Sequence, residues 1–288
     1  MAGLEVTGTT LKVQAVEDLK AHHPLSLLLS IAELPRSTFY DHRKRLQAPD
    51  RHHDLKEAIH RVFEDANGAY GHRRVLAVLR RQQLRVSKKT VLKLMRALGL
   101  HCRVRRRRRY NSFRGEVGQA AQNVLNRQFA TKRKNTKWAT DVTEFTIGSS
   151  KIYLSPILDL YDNRVISTRV GPSPSVKMVT DGLCTAINDL EPSERPLVHS
   201  DQAFQYRHAL WQDTLRDAGL TQSMSRKGTC LDNAAMESFF SHLKEEWFRI
   251  REPQTLTEFH AGLSEYLTWW NSARIQKRLG YLSPDEYR

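Results

Sequence analysis

Residues 138–160, WATDVTEFTIGSSKIYLSPILDL, decide the fold class of this chain. Polar and apolar side chains alternate loosely from Trp138 to Ile147, which is typical of a strand with one buried face. Gly148-Ser149-Ser150 then provides a turn, and the near-continuous apolar run from Ile152 to Leu160 predicts a central strand that is buried on both faces. The stretch therefore predicts a β-hairpin at the start of a sheet.

Short strands and helices alternate after this hairpin. A third strand is predicted over Arg164–Val170. The following elements are predicted to be helices at Val176–Leu190, Arg207–Ala218 and Asn233–Phe248, and strands at Leu197–Ser200 and Leu220–Met224. A hairpin followed by this alternation predicts a mixed sheet with helices on its faces, which is an α/β fold.

Charge divides the chain into two unequal halves. Residues 1–137 carry 30 Lys and Arg against 11 Asp and Glu, whereas residues 138–288 carry 16 against 20. The surplus of 19 positive charges in the first half predicts a polyanionic partner, because phosphates would neutralise its self-repulsion. Double-stranded DNA is the partner that we expect.

The composition argues against a membrane protein. The longest apolar stretch, Leu25–Leu34, is about half of what a bilayer requires, and it contains Glu33. No charged-then-apolar leader opens the chain. We therefore expect a cytoplasmic protein that is associated with the nucleoid when it is bound to DNA. Three widely separated cysteines lack the spacing of a zinc finger or of a disulfide framework.

The basic first half predicts helices that bind DNA. Residues 25–45 hold an apolar helical run, a Leu-Pro break and Ser37 as the N-cap of a short basic helix, which resembles half of a helix-turn-helix. Three further helices are predicted between Asp54 and Gly99. The alternative is that the basic side chains on these helices only keep an exposed helix face solvated. The run of six arginines at 103 and 105–109 favours DNA binding, because so many like charges cannot pack against each other. The basic residues that we predict to bind DNA are Arg73, Arg74, Lys88, Lys89, Arg105, Arg106, Arg107, Arg108 and Arg109.

These patterns predict five segments. An N-terminal helical segment with a partial helix-turn-helix (1–53) precedes a helix-turn-helix-like basic domain (54–110), a linker (111–134), a mixed-sheet core (135–250), and a C-terminal helix and tail (251–288). The chain therefore combines an all-α basic region with an α/β core.

Three carboxylates stand where the predicted elements could converge. Asp141 lies in the first predicted strand, Asp201 directly follows the Leu197–Ser200 strand, and Glu237 lies about one turn into the long helix. A carboxylate in an apolar strand is costly unless it is paired or bound to a metal. Crevices at the carboxyl ends of strands are also where open α/β sheets bind ligands. We therefore expect these acids to form one site.

The chemistry of three adjacent carboxylates indicates divalent metal ions. The carboxylates would repel each other and hold protons near neutrality, whereas two divalent cations would neutralise them and provide catalysis. Oxygen ligands without Cys or paired His favour Mg²⁺ or Mn²⁺. Two such ions suit in-line attack at phosphorus. Lys244 shares the helix face of Glu237, roughly 10 Å further along, and is predicted to hold a DNA phosphate.

Several short motifs resemble the DDE transposases of bacterial insertion sequences, the group whose second reading frame encodes a retroviral-integrase-like core. The motifs are YGHRR (70–74), WATDVT (138–143), HSD (199–201), SMSRKG (223–228), the tripeptide Asp232-Asn233-Ala234 followed by ESFF (237–240), and LK (243–244). Asn271, Arg274, Leu279 and Ser283-Pro284 match near the end. The resemblance covers nearly the whole chain, and 35 residues separate Asp201 from Glu237. It implies a ribonuclease H-like core, two divalent ions, and catalytic Asp141, Asp201 and Glu237.

The same resemblance implies an activity. The enzyme would cut the 3′ ends of a mobile element and use each freed 3′-hydroxyl to attack a phosphodiester bond of DNA, with at least a dimer holding the two ends. The alternatives are a DNA-binding regulator or remnant whose acids are inert, and a metal nuclease that does not join strands.

Besides Trp270 and Gln276 near the end, which stand where tyrosine and histidine are common, two features depart from the family pattern. Gln202-Ala203-Phe204 stands where the family has a basic residue, a glycine and a small residue, and loss of the glycine is expected to stiffen the loop beside the metals. No heptad zipper is present, although the family enzyme is usually a frameshift fusion with an upstream reading frame. The chain is therefore either the catalytic portion of a longer product or a relative that works alone.

Overall fold

A computed structural model describes residues 8–48, 50–103, 121–226 and 230–288. The chain divides into two compact units, Met1–Cys102 and Arg103–Arg288. Within the described residues, no helix has the length and apolar character needed to cross a membrane.

The described part of the first unit is helical. Its helices are α1 (Gly8–Leu19), α2 (Leu25–Ile31), α3 (Arg36–Gln47), α4 (His53–Asp65), α5 (His72–Arg81) and α6 (Lys88–Ala97). The first three pack around a small core that includes Val13, Leu29 and Phe39. The last three bury Ile59, Leu79 and Val91, one from each helix. Each belongs to a set of apolar residues that recur at helical spacing in the sequence.

The start of α3 differs from the prediction. Pro35, and not Ser37, occupies the N-cap position, and the helix begins at Arg36. Proline suits the entry to a helix because its φ is preset and its missing N–H would have no partner there. Ser87 does cap α6, since its side chain accepts a hydrogen bond from the Thr90 N–H at 3.1 Å. Gly99, with φ of +67°, follows the end of that helix.

The second unit is built on one mixed sheet. Its strands are β1 (Lys137–Thr140), β2 (Thr143–Ile147), β3 (Ser150–Asp159), β4 (Val165–Gly171), β5 (Leu197–Ser200) and β6 (Thr221–Met224). Strand β3 pairs antiparallel with β1, β2 and β4. Strand β5 pairs in parallel with β1 on one side and with β6 on the other.

The predicted strand from Trp138 to Ile147 is interrupted at its centre. Thr140 pairs with Ile157 and Thr143 with Leu154, so β1 and β2 keep one register along β3. That register sets Asp141 opposite Pro156, which has no N–H to donate to the ladder. The N–H of Val142 bonds instead to Oδ1 of Asp141 at 2.7 Å. Asp141 therefore lies just beyond the end of β1 and not within a continuous strand.

Helices cover both faces of the sheet. They are α7 (Val176–Asn188), α8 (Phe204–Arg207), α9 (Ala209–Asp217), α10 (Ala234–Leu243), α11 (Arg249–Arg251), α12 (Leu256–Ser272) and α13 (Pro284–Tyr287). Trp138 packs with side chains of α7 and α9, whereas its neighbour Ala139 belongs to the core formed with α10 and α12. The predicted helix Asn233–Phe248 begins one residue later and changes into a π-helical turn at Lys244–Phe248.

A buried ion pair anchors the C-terminal segment to this π-helical turn. The guanidinium of Arg274, beyond the end of α12, contacts both carboxylate oxygens of Glu246 at 2.6 and 2.7 Å. Arg274 is 1% exposed and Glu246 4% exposed, and the Trp270 ring lies 4.3 Å from the guanidinium carbon. The C-terminal segment is thereby fixed against the helix that carries Glu237.

The second half of the predicted linker is attached to the sheet. The backbone N–H of Met224 donates to the carbonyl of Gln122 at 3.3 Å, beside the edge strand β6. Leu125 is buried, and its N–H donates to Oγ of Ser223 at 3.0 Å. We call residues 121–129 the strap. Residues 104–120, which include the first half of that linker, lie outside the described residues.

Candidate active site

The parallel pair β1 and β5 brings two of the three predicted acids to one edge of the sheet. Ala139 pairs with His199, so Asp141 and Asp201 each follow the last residue of their strand at matching positions. The carboxyl ends of parallel strands lie at the same edge, which is where such sheets bind ligands. Both side chains are half-buried.

Each of these acids is held by a nearby backbone N–H. Oδ1 of Asp201 accepts a hydrogen bond from the N–H of Ala203 at 2.9 Å, as Oδ1 of Asp141 does from Val142. Ala203 has φ of −62°, so this loop uses no left-handed backbone that would require glycine. The loop that departs from the family pattern thus takes an ordinary conformation and orients Asp201.

The acids acquire protons more readily than isolated carboxyls. Burial, together with the negative charges of Asp201 and Glu237, raises the pKa of Asp141 to about 8. Burial also raises the pKa of Asp201, against the hydrogen bond from Ala203 and the positive charge of Arg207. Glu237, exposed in the first turn of α10, therefore lies within electrostatic reach of Asp141.

The carboxylate oxygens of Asp141, Asp201 and Glu237 are the ligand type that a hard divalent cation prefers. The three side chains are nevertheless not close enough together to form a metal site as they stand. Within the part of the chain that the structure describes, no group of three His, Cys, Asp or Glu side chains is arranged to hold a metal ion. Among the same residues, neither Asp141 nor Asp201 forms an ion pair with a basic side chain. Their oxygens are thus not committed to a protein cation, and Mg²⁺ or Mn²⁺ favours such ligands.

Asn233 is a site residue that the sequence analysis did not single out. Its Nδ2 donates to Oδ2 of Asp141 at 3.2 Å. The residue appears in the quoted Asp232-Asn233-Ala234 motif, where the sequence predicts it as the first residue of the long helix. The signal available in the sequence was its spacing, since Asn233 precedes Glu237 by about one helical turn.

Asp232, the preceding residue, joins three segments of the second unit. Its buried carboxylate accepts hydrogen bonds from Asn123 at 2.7 Å, from Arg127 at 2.7 Å and from the Nε of Arg226 at 2.9 Å. The hydrogen bonds from the two arginines hold the pKa of Asp232 well below its usual range, Arg226 having the larger effect. The strap, the end of β6 and the start of the Glu237 helix are therefore fixed together.

His199, which lies in β5 two residues before Asp201, links neighbouring strands of the sheet through its ring. The ring is fully buried, with Nδ1 2.9 Å from Oγ of Ser223 and Nε2 3.1 Å from Oγ of Ser225. Burial lowers the pKa of His199 to about 4, so the imidazole is neutral at physiological pH. Two hydroxyl partners for one neutral ring link β5 to β6 and to the residue after it.

Lys244, the first residue of the π-helical turn, lies near the acidic side chains of Glu144 and Asp141. Its Nζ is 5.2 Å from the centre of the Phe145 ring, and the side chain is half-buried. Burial and the charge of Arg249 lower the pKa of Lys244, while Glu144 and Asp141 oppose this shift. The ammonium group is thus within electrostatic range of Asp141.

The other residues predicted to bind DNA belong to the first unit or to the segment beyond it. Arg73, Lys88 and Lys89 are exposed in the first turns of α5 and α6, and Arg74 lies over the Tyr70 ring at 5.4 Å. Arg105, Arg106, Arg107, Arg108 and Arg109 lie outside the described residues.

Family models match three parts of the chain. An integrase core domain matches residues 131–230, a second integrase core domain matches residues 237–288, and an HTH-like domain matches residues 50–108. The sheet order, the helices on both faces and these matches establish a ribonuclease H-like core preceded by a helix-turn-helix-like region.

Relatives match over almost the full length of the chain. The transposase InsK of insertion sequence element IS150 from Escherichia coli K12 is 45% identical, and the match covers 96% of this chain and 97% of that protein. The transposase of IS1353 from Shigella flexneri is 40% identical over 99% of this chain, which spans 56% of that protein. The IS904 transposase from Lactococcus lactis is 30% identical over 85% of this chain and 98% of that protein.

A solved structure, the catalytic core of HTLV-2 integrase in complex with magnesium, aligns with a TM-score of 0.43 at 13% identity, over 54% of this chain and 96% of that chain. The relatives and the two integrase core matches establish function as well as family. The chain belongs to the transposases of bacterial insertion sequences, DDE polynucleotidyl transferases that cleave DNA strands and transfer them.

Proposed function

We propose that Asp141, Asp201 and Glu237 are the catalytic carboxylates of this transposase and that they hold two divalent ions, Mg²⁺ or Mn²⁺. The observation that carries this proposal is the pair Asp141 and Asp201 at the ends of adjacent parallel strands, with no ion pair to a basic side chain among the described residues. Bound ions would neutralise these charges and polarise the phosphate.

The protein itself orients the site. Backbone N–H groups of Val142 and Ala203 fix one oxygen of Asp141 and of Asp201, respectively. Lys244 supplies a positive charge near Asp141 that suits a DNA phosphate beside the scissile bond. The substrate in this proposal is a mobile-element end, and the freed 3′-hydroxyl then attacks target DNA.

A labelled element end incubated with Mg²⁺ tests the catalytic assignment. The wild-type chain is expected to give cleaved and joined products, whereas Glu237→Gln binds the same DNA and yields neither, because the amide keeps the shape and removes a metal-ligating charge. Glu265→Gln, an exposed glutamate in α12, is the matched control. Activity of Glu237→Gln within tenfold of wild type would remove Glu237 from the site.

The same assay separates the two alternative functions. DNA that the wild-type chain binds without cutting would favour a regulator or inactive remnant. Cut DNA without joined products would favour a metal nuclease. Joined products require at least a dimer in this proposal, since two ends must be held together. Reaction by the purified chain alone would show that no upstream reading-frame product is needed.

The basic N-terminal half is proposed to supply most of the DNA affinity. Replacement of Arg105–Arg109 by Gln removes up to five phosphate contacts, each releasing about 0.9 counterions. The slope of log affinity against log salt should become shallower by roughly two to four units, equally on element ends and on random duplex, because phosphate contacts do not specify sequence. An unchanged slope in a salt titration would place these arginines away from DNA.

A further inference from the structure

Asn233 makes a contact that its position in the helix does not require. It occupies the N-cap position of α10, where asparagine commonly accepts hydrogen bonds from the first N–H groups of the helix. In this structure its side chain makes no such capping bond. The amide nitrogen contacts Oδ2 of Asp141 instead, across 92 residues of sequence. The side chain thus serves the carboxylate and not the helix.

The surroundings of Asn233 hold it in place. The residue is 6% exposed, and its neighbour Asp232 is fixed by Asn123, Arg127 and Arg226. The amide nitrogen is the donor in the contact with Oδ2 of Asp141, so the amide oxygen is left as an acceptor for another group. The orientation of the amide follows from this single contact.

The amide oxygen of Asn233, Oδ1, is in a costly environment. Oδ1 of Asn233 is buried and has no hydrogen-bond partner among the described residues. Leaving a buried acceptor unsatisfied costs about 1–3 kcal/mol. Such an atom, on a side chain that contacts Asp141, indicates a place where a hydrogen-bond donor enters when the site is filled.

We propose that Asn233 is a positioning residue that fixes the Asp141 carboxylate with its Nδ2 and accepts, with Oδ1, a hydrogen bond from a water molecule of the divalent ion's hydration shell. The inference rests on the proposed metal site and adds a determinant of its affinity. Because Asn233 begins the helix that carries Glu237, the same contact links that helix to the end of β1.

Calorimetric titration of the full chain with Mn²⁺ alone tests the proposal without reference to activity. Substitution of a residue that orients a metal ligand typically weakens metal affinity about 10- to 100-fold, and we expect this loss for Asn233→Ala. Asn188→Ala, at the exposed end of α7, should bind Mn²⁺ with wild-type affinity. Asp141→Asn serves as the reference for a lost ligand.

Thermal unfolding distinguishes positioning from a merely structural role. A packing defect in Asn233→Ala would lower the melting temperature equally with and without Mn²⁺, whereas positioning predicts a smaller increase upon addition of the ion. Asn233→Asp should show the opposite pattern. It loses the donor and adds a like charge beside Asp141, so its ion-free form is less stable than wild type and its Mn²⁺-induced increase is larger.

The outcomes separate this inference from the proposed function. Mn²⁺ binding that disappears in Asp141→Asn but stays within twofold of wild type in Asn233→Ala would overturn the role of Asn233 and leave the metal site standing. A wild-type chain that binds no Mn²⁺ at millimolar concentration would overturn both.

Discussion

Acidic side chains in the second unit occupy two opposite environments. Asp232 and Glu246 are buried against arginines, which hold the pKa of each well below its usual range. Asp141 and Asp201 follow the ends of two adjacent parallel strands, and their pKa values are raised. Partners and not burial decide the difference, since burial alone would raise the pKa of all four. A buried acid paired with arginine stabilises the fold, whereas we propose that the acids without an arginine partner bind a divalent cation.

The largest expected effect is on the unpaired acids. Asp141→Asn should reduce strand cleavage on the order of a thousandfold, if the bound ions supply about 4 kcal/mol at the transition state. The same substitution should raise the ion-free stability at pH 8, because it removes a charge that is costly beside Asp201. Cleavage assays and urea unfolding check the two effects. Lower stability of the variant at pH 8 would show that the Asp141 charge is not costly in the folded state.

The paired acids should behave in the opposite way. Glu246→Ala leaves Arg274 buried and uncompensated, and the free energy of unfolding should fall by about 3–5 kcal/mol. Its neighbour Glu245 pairs with the exposed Arg249, so Glu245→Ala should cost about 0.5 kcal/mol or less. Urea unfolding of both variants is the measurement. Similar losses would show that the buried pair adds nothing over a surface pair.

The smallest effect is the part of the dependence of stability on pH that lies between pH 6.5 and 8. The pKa of Asp141 is about 8 in the folded state and 3.8 ordinarily, so the unfolded state releases a proton that the folded state keeps. Ion-free stability should therefore fall as pH rises from about 4 to about 8. His199, with a pKa lowered to about 4, acts oppositely below pH 6.5.

The range from pH 6.5 to 8 isolates the contribution of Asp141. Melting temperatures of wild type and Asp141→Asn, measured with and without Mg²⁺, should diverge across that range only when the ion is absent. If the stability of the wild type relative to the variant does not change over this range, the proton belongs to another group and the assignment to Asp141 is wrong.

Much of the fold is predictable from local patterns. The hairpin, the two short parallel strands and the helical faces of the first unit follow from apolar periodicity and from turn residues such as Gly148. The family was also evident, and its relatives confirm it. The interruption at Asp141 was not predicted, because it depends on Pro156 in the neighbouring strand, and a proline in that strand acts on a partner that periodicity does not identify.

The strap shows a second limit of the sequence. Residues 121–129 have no clear apolar period, so they were assigned to a linker. Their attachment depends on Leu125, which is buried, and on Arg127, whose partner Asp232 lies 105 residues away. Contacts at such separations leave no local periodicity, since only the folded sheet brings the two residues together.

The sequence by itself determined the elements, the family and the placement of Asp141 and Asp201 after apolar strands, because hydrophobic period and chain order are local properties. The roles of Asp141, Asp201 and Glu237 remain predictions that the experiments above test. Only the folded structure shows which acids are paired with arginine and which lie at adjacent strand ends without such a partner. It also decided that Asn233 contacts Asp141 and not its own helix. Ionisation and hydrogen bonding depend on spatial neighbours, and those neighbours exist only after the chain has folded.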